Sequence, residues 1–354
     1  MAADWKYLPI LKWKRGEQYA LRELTQEQWD SVTPLIELQA IDAAPDLTAL
    51  RAALPAYLAE VAAQIEKSIP QERQIFVDTH LVSQGYARQA SLLAVICEQL
   101  RRKTKRAIYP VVGAAAMDSM GALSANAKET LLKLAPVLLR VRSDQIDASQ
   151  ITPLVADLVS SGIRKKSIHL LIDQYSLVSR EPGDCVTTIK PYLTEAVAAS
   201  CASVTLGGGS FPMTLTGIKA GVKDIPRIEW RAWKMIAKAG EFPQLRYADY
   251  SVTNPAPLPE IDPKTVNPSI TIRYATKEDW HLLKGRGFKG APAGEYANLC
   301  KLLVTNPAVY CGKHFSFGDG KYFALANGGG KNGVPWTWRR EATSHHIVFT
   351  AKAL

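Results

Sequence analysis

Short runs of apolar, β-branched residues recur along the chain, and each is followed by a stretch with the 3.6-residue spacing of a buried helix face. The strand-like runs are YLPILK (7–12), PLIEL (34–38), QIFVDTH (74–80), AIYPVVG (107–113), VLLRVR (137–142), IHLLIDQ (168–174), SVTLGGGS (203–210) and LRYADYSVT (245–253). Helical spacing fills 46–68, 84–103, 122–134, 150–161 and 186–200 and, with a looser pattern, 17–31 and 227–240. Asp46 and Ser124 stand where N-caps belong, and Gly162 follows a helix as a C′ glycine does. Alternating β and α units predict parallel strands joined by right-handed crossovers. Eight such units in about 250 residues predict an α/β fold of the (β/α)8, TIM-like barrel type. An open doubly wound sheet is the weaker choice, because no GxGxxG follows the first strand.

After Val252 the texture changes. TNPAPLPEIDPKTVNP (253–268) holds five prolines in sixteen residues and reads as a linker or strap. Beyond it come SITIRYATKEDWHLLKGRGFKG, a helical stretch at 293–304, and a tail rich in aromatic, glycine and basic residues. The expected division is a barrel over 1–253, then a Pro-rich strap and a small basic C-terminal appendage over 254–354, docked on the barrel.

Charge sharpens that division. The 354 residues carry a formal net charge of +10, unevenly spread: residues 1–260 hold 30 basic and 27 acidic side chains, residues 261–354 hold 13 and 6. A near-neutral scaffold with a basic cover favours anionic partners near the cover, a nucleotide or nucleic acid. A hydrophobic share of 47% excludes a disordered or fibrous chain. No run of 18 apolar residues and no apolar leader is present, so no membrane span and no signal peptide are expected. Five scattered cysteines form no CxxC pair, hence neither a zinc ribbon nor a disulfide framework, and a reducing cytoplasm fits best.

A barrel places its chemistry at the C-terminal ends of its strands. The polar residues there are Lys12 and Lys14 after the first run, Glu37 in PLIEL, Asp78 and His80 in VDTH, Arg140 and Arg142 in LLRVR, Asp173 in LLID, and Asp249 in YADYS. Buried charge is costly unless paired, so this set implies either an ion-paired network or a ligand and metal site. As a site, Asp78, His80 and Asp173 are the catalytic candidates. The acids with His80 suit a divalent cation, while Lys12, Lys14, Arg140 and Arg142 suit phosphate. Gly207–Gly209 is either an anion cradle of backbone N–H groups or a turn. His345 and His346 precede the strand-like IVFTA, which turns one ring to a pocket and the other to solvent. His346 then joins the catalytic candidates and His345 the ligand-binding ones, reaching over the mouth; hydrogen-bonded structural histidines are the other reading. KGRGFKG (284–290) and WTWRR suit a nucleic-acid backbone or a solvated basic loop equally.

YLPILKWKRGEQYAL at the start, PLIEL, YADYSVTNP and the ending SHHI together resemble the "beta protein" family of phages and bacteria, over nearly the whole chain. The resemblance implies a barrel-like protein carried by phages and mobile elements or near defence genes, with Lys12, Lys14, Glu17, Asp249, His345 and His346 in the family's characteristic stretches. It implies no established reaction, cofactor or catalytic set. Two functions stay open. One is a protein that acts on or binds a phosphate-containing ligand, nucleotide or nucleic acid, at the C-terminal mouth of the barrel in phage–host conflict, and whose form as an enzyme is a metal-assisted hydrolase. The other is a non-catalytic module that binds nucleic acid or a partner protein of the same operon.

Overall fold

In the computed structural model, which describes residues 5–41, 44, 46–86, 89–118, 120–256 and 266–354, the eight apolar runs become eight parallel strands that close on themselves. The strands in chain order are β1 (Tyr7–Leu11), β2 (Leu35–Glu37), β3 (Ile75–Asp78), β4 (Ile108–Val112), β5 (Val137–Arg142), β6 (Ile168–Ser176), β7 (Ser203–Gly209), β8 (Gly221–Pro226), β9 (Arg246–Asp249), β10 (Ser269–Ala275) and β11 (Asp279–Gly287). The barrel runs β1 to β7 and then β9, which pairs with β1 through Tyr7 opposite Tyr247 and Pro9 opposite Asp249. Every barrel strand lies within its expected run except β6, which continues to Ser176. Alternate residues point inward, so Leu8, Ile10, Leu35, Phe76, Leu138, Leu171 and Ala248 fill the interior.

The helices are α1 (Arg15–Arg22), α2 (Gln26–Trp29), α3 (Leu47–Ser68), α4 (His80–Ser83), α5 (Gln89–Thr104), α6 (Ala114–Asp118), α7 (Ala125–Leu134), α8 (Ile151–Ser160), α9 (Pro182–Ala198), α10 (Ile228–Ala239), α11 (Glu295–Val304), α12 (Phe317–Ala326) and α13 (Pro335–Ala353). The expected stretch 17–31 is thus two short helices, and that at 84–103 begins at Gln89. The caps are as expected. Asp46 accepts the Ala49 N–H at 2.8 Å and Ser124 that of Ala127 at 3.3 Å, while Gly162 takes φ +101°, which a side chain disfavours.

Two insertions at the C-terminal ends of strands build the small unit. The chain after β7 supplies β8, and the chain after β9 supplies β10 and β11, in an antiparallel sheet of order β10-β11-β8. Ile272, Tyr274 and Leu283 of that sheet share a core with Tyr296 and Leu303 of α11 and Tyr322 of α12. Residues 257–265, most of the expected strap, lie outside the described residues. The chain then returns to the barrel. α13 lies along α1, and its Ile347 and Val348 belong to the main barrel core. It therefore occupies the place of the eighth outer helix, and a boundary at 253 does not separate independent cores.

The tail corrects an expectation. IVFTA and both histidines sit on a helix, and His345 and His346 are each 0% exposed. β-Branched residues favour strands only weakly, and here burial on opposite sides of one helix overrides that preference. Ile347 meets the barrel, whereas His345 meets the small unit, bonding Asp319 at 2.8 Å and the Ala275 carbonyl at 2.9 Å. Gly318 of α12 lies so close to α13 that a Cβ there would sit 2.1 Å from the Glu341 carbonyl oxygen.

Removal of residues 335–354 is expected to abolish cooperative unfolding in a circular-dichroism melt, because it uncovers the barrel core as well as the small unit. Gly318→Ala is expected to destabilise the full chain by about 1–3 kcal/mol in urea unfolding, the usual range for overpacking.

Candidate functional site

Arg140 points inward from β5 near the C-terminal end of the barrel, and carboxylates from three other strands converge on it. Its Nη1 donates to Glu37 of β2 at 2.8 Å and to Asp78 of β3 at 2.7 Å, and its Nη2 to Asp173 of β6 at 2.8 Å. Tyr250, just past β9, donates its hydroxyl to Asp173 at 2.6 Å and also contacts Arg140. All five side chains are buried. A guanidinium is planar and many-donored, which suits it to serve several carboxylates at once. One cation against three acids leaves this layer short of positive charge. Burial alone would raise the Asp78 carboxyl, but His80 and then Arg140 more than reverse that and hold it well below the usual carboxylate range.

Above this layer lies a cavity of about 320 Å³, lined by Asp78, His80, Ser83, Arg140, Arg142 and Tyr175 among others. That volume is at the small end of ligand pockets. His80 follows Asp78 by two residues and opens α4; its backbone N–H bonds the Asp78 carboxylate at 2.9 Å. Its Nδ1 lies 3.0 Å from the same oxygen but makes no well-formed hydrogen bond. Burial would lower this imidazole's pKa, yet Asp78 and Glu37 raise it above the ordinary value. One ligand atom from each of Glu37, Asp78 and His80 lies within 4.8 Å of the others. Ligand atoms around a divalent cation stand about 2.0–2.6 Å from it, so this trio fits one after small side-chain movements. Arg142, at the cavity wall, stacks 3.6 Å from the Tyr175 ring centroid and pairs with Asp144 at 2.6 Å.

The remaining expected residues do not join this cavity. Asp173 stands behind Arg140, 0% exposed, and acts as its buttress. Asp249 points out of the barrel wall, because the inward positions of its strand are Ala248 and, just beyond it, Tyr250. There it accepts from Tyr7 at 2.6 Å, Tyr247 at 3.0 Å, the Ser251 N–H at 2.9 Å and His346 Nε2 at 2.8 Å. His346 is therefore a buried tie between α13 and the wall rather than a group over the mouth, and His345 is likewise a tie within the small unit. Lys12 is half-buried at the end of β1, its Nζ bonding the Ala256 carbonyl at 2.7 Å. Lys14 is exposed and faces a separate hollow beside Arg15 and Glu60. Gly207–Gly209 forms neither cradle nor turn: it continues β7, where a Cβ at Gly207 would press on Ala248 and Leu171 at 3.2 Å.

Sequence reasoning passed over Tyr250, Tyr175 and the buried pair Arg227 and Glu229. Parity along β9 could have exposed Tyr250, since inward-facing Ala248 makes 250 the next inward position. Glu229 is 3% exposed, and neither carboxylate oxygen has a hydrogen-bond partner among the described residues. Burial pushes its carboxyl up to about 7, against the pull of Arg227.

Arg140→Met is expected to destabilise by about 3–5 kcal/mol in urea unfolding, since it leaves the carboxylates buried without their cation. Glu229 is proton-bound in the fold between pH 4.5 and about 7 but ionised in the unfolded chain, so its contribution to stability declines as pH rises through that window. Glu229→Gln should therefore be stabilised at pH 8 by up to about 3 kcal/mol relative to its effect at pH 4, read from paired melts.

A family model described as "Beta protein" matches residues 7–352. Among solved structures, the chain is similar to "QR15, an Aldolase" at 9% identity and TM-score 0.37, over 71% of this chain and 92% of that one. It is also similar to the spore coat polysaccharide biosynthesis protein spsE of Bacillus subtilis at 7% identity and TM-score 0.31, over 79% and 85%. No curated protein matches the chain.

Proposed function

The chain belongs to the Beta protein family, and from that premise we propose that its barrel mouth binds a phosphate-containing ligand of the nucleotide class through a divalent cation and hydrolyses it. The observation that carries this reading is the meeting of Glu37, Asp78 and His80, of which Asp78 and His80 line the cavity. The inner rim is acidic, so a bare phosphate would be repelled there, and a cation reconciles the two charges. Glu37, Asp78 and His80 are the residues to hold it, through two carboxylates and one imidazole nitrogen. Such a cation supplies polarisation of a phosphoryl oxygen and a more acidic water. Arg142, held flat by Tyr175, is placed to take a further phosphoryl oxygen by exchanging its exposed partner Asp144. Arg140 and Asp173 keep the two carboxylates in place.

A second reading has its own support. Arg140 already engages three carboxylates, so the rim is ion-paired without any ligand. In that case the chain is a non-catalytic module for nucleic acid or for a protein of the same operon. The setting proposed with either reading is phage–host conflict in a reducing cytoplasm. The family resemblance supports the conflict setting, and five free cysteines support the reducing compartment. Among the described residues no helix is long and apolar enough to cross a membrane.

Manganese with ATP is expected to raise the melting temperature of the parent by several degrees, and Asp78→Asn to lose most of that shift. Phosphate release should follow manganese and disappear in EDTA. A parent whose melt ignores manganese and nucleotide, alone and together, refutes the cation site and leaves the binding-module reading.

A further inference from the structure

Three cations from three separate stretches of chain meet beside the seam where β9 closes onto β1. Arg273 of β10 and Arg339 of α13 both donate an Nη1 to the same acceptor, the Val252 carbonyl, at 2.7 and 3.2 Å. Lys12, at the end of β1, bonds the Ala256 carbonyl four residues further on. Its ammonium is near enough to Arg339 and to Glu37 for both charges to act on it. Among the described residues none of the three has a carboxylate at ion-pair distance, and each guanidinium makes one hydrogen bond, that to Val252. Two arginines and a lysine brought together with no acid at ion-pair distance among the described residues are costly, and the cost shows. Burial first, and then the charge of Arg339, lowers the Arg273 guanidinium well below its ordinary value, while burial lowers Arg339 itself.

The arrangement is built rather than incidental. Arg339 reaches the cluster across Gly16, where a Cβ would stand 2.7 Å from its Cγ, so only glycine leaves it room. Arg273 is oriented by Phe211, whose ring centroid lies 4.5 Å from its guanidinium carbon. All three side chains remain partly exposed, so a small ligand can reach them. Among the described residues the carboxylates whose charges act on this cluster are Glu17 and Glu37, and Lys14 adds a fourth cation beside Lys12, which leaves an excess of two positive charges. In a barrel the loops after the last two strands are where phosphate groups are frequently held.

We propose that Lys12, Arg273 and Arg339 form a subsite for the terminal phosphate of a phosphomonoester. The excess of two charges matches a monoester dianion and not the single charge of a diester, and the unused guanidinium N–H groups offer forked contacts to its oxygens. The proposal deepens the reading of the mouth as a phosphate site and rests on it for the class of ligand, but needs no bound metal ion. It also gives the basic appendage a role, because β10 and α13 carry its two arginines to the mouth.

The test is calorimetric titration of the full-length protein with phenyl phosphate and with dimethyl phosphate, both in EDTA. The parent is expected to bind phenyl phosphate at least about tenfold more tightly than dimethyl phosphate, and Arg273→Gln and Arg339→Gln each to weaken phenyl phosphate at least about tenfold. Should either glutamine variant fail to melt cooperatively, Arg273→Lys keeps the charge without the fork and is expected to bind at least about threefold more weakly than the parent. Equal binding of the two probes, no binding of phenyl phosphate to the parent, or undiminished binding in folded variants overturns the proposal. Phenyl phosphate binding in EDTA with no response to manganese overturns the cation reading alone; a manganese and ATP response with no phenyl phosphate binding overturns the subsite alone.

Discussion

A guanidinium buried inside a closed barrel must find its counter-charges on neighbouring strands, and much of the mouth follows from how Arg140 does so. Its partners come from β2, β3 and β6, so one side chain ties three strands together at their C-terminal ends. The same ties fix Asp78, the carboxylate that lines the cavity, and Asp78 in turn positions His80 by accepting its backbone N–H. Removing such a charge from water is worthwhile only with good geometry and further hydrogen bonds, and Tyr250 supplies one by donating to Asp173.

The small unit is joined to this scaffold by the same kind of buried polar contact. Asp249 faces outward and collects four donors, one of them His346 on the last helix. The donors and Arg227 hold that carboxyl down to about 2 although burial alone would raise it, while burial keeps the His346 imidazole below its ordinary value. A neutral ring donating to a carboxylate thus seals the eighth helix to the wall. The small unit is inserted between β9 and that helix, so its position over the barrel edge is set at both of its ends.

Opposite charge excesses then occupy neighbouring regions of the mouth. Around Arg140 the acids outnumber the cation; around Val252, among the described residues, the cations outnumber the acids. Glu37 belongs to the first group, and its charge acts on Lys12 of the second. Two such groups would each be unfavourable alone, and a ligand that carries phosphate and brings a cation complements both.

The repeating pattern of apolar runs was enough to specify the barrel, because a parallel strand buried on both faces needs an unbroken apolar run and each crossover needs an amphipathic helix. It also marked Glu37, Asp78, Asp173 and Arg140, since charges inside such runs stand out. Tertiary structure alone decided which way each charge faced and what it met. Asp249 and Tyr250 are adjacent, and only the closure of β9 onto β1 sends one to the wall and the other to the mouth. IVFTA carries the local signature of a strand, yet burial between two bodies makes it a helix. Arg273 and Arg339 lie far from Lys12 in sequence. Their meeting depends on chain reversals that no local pattern encodes, because residue spacing fixes neighbours within one element and only packing fixes neighbours between elements.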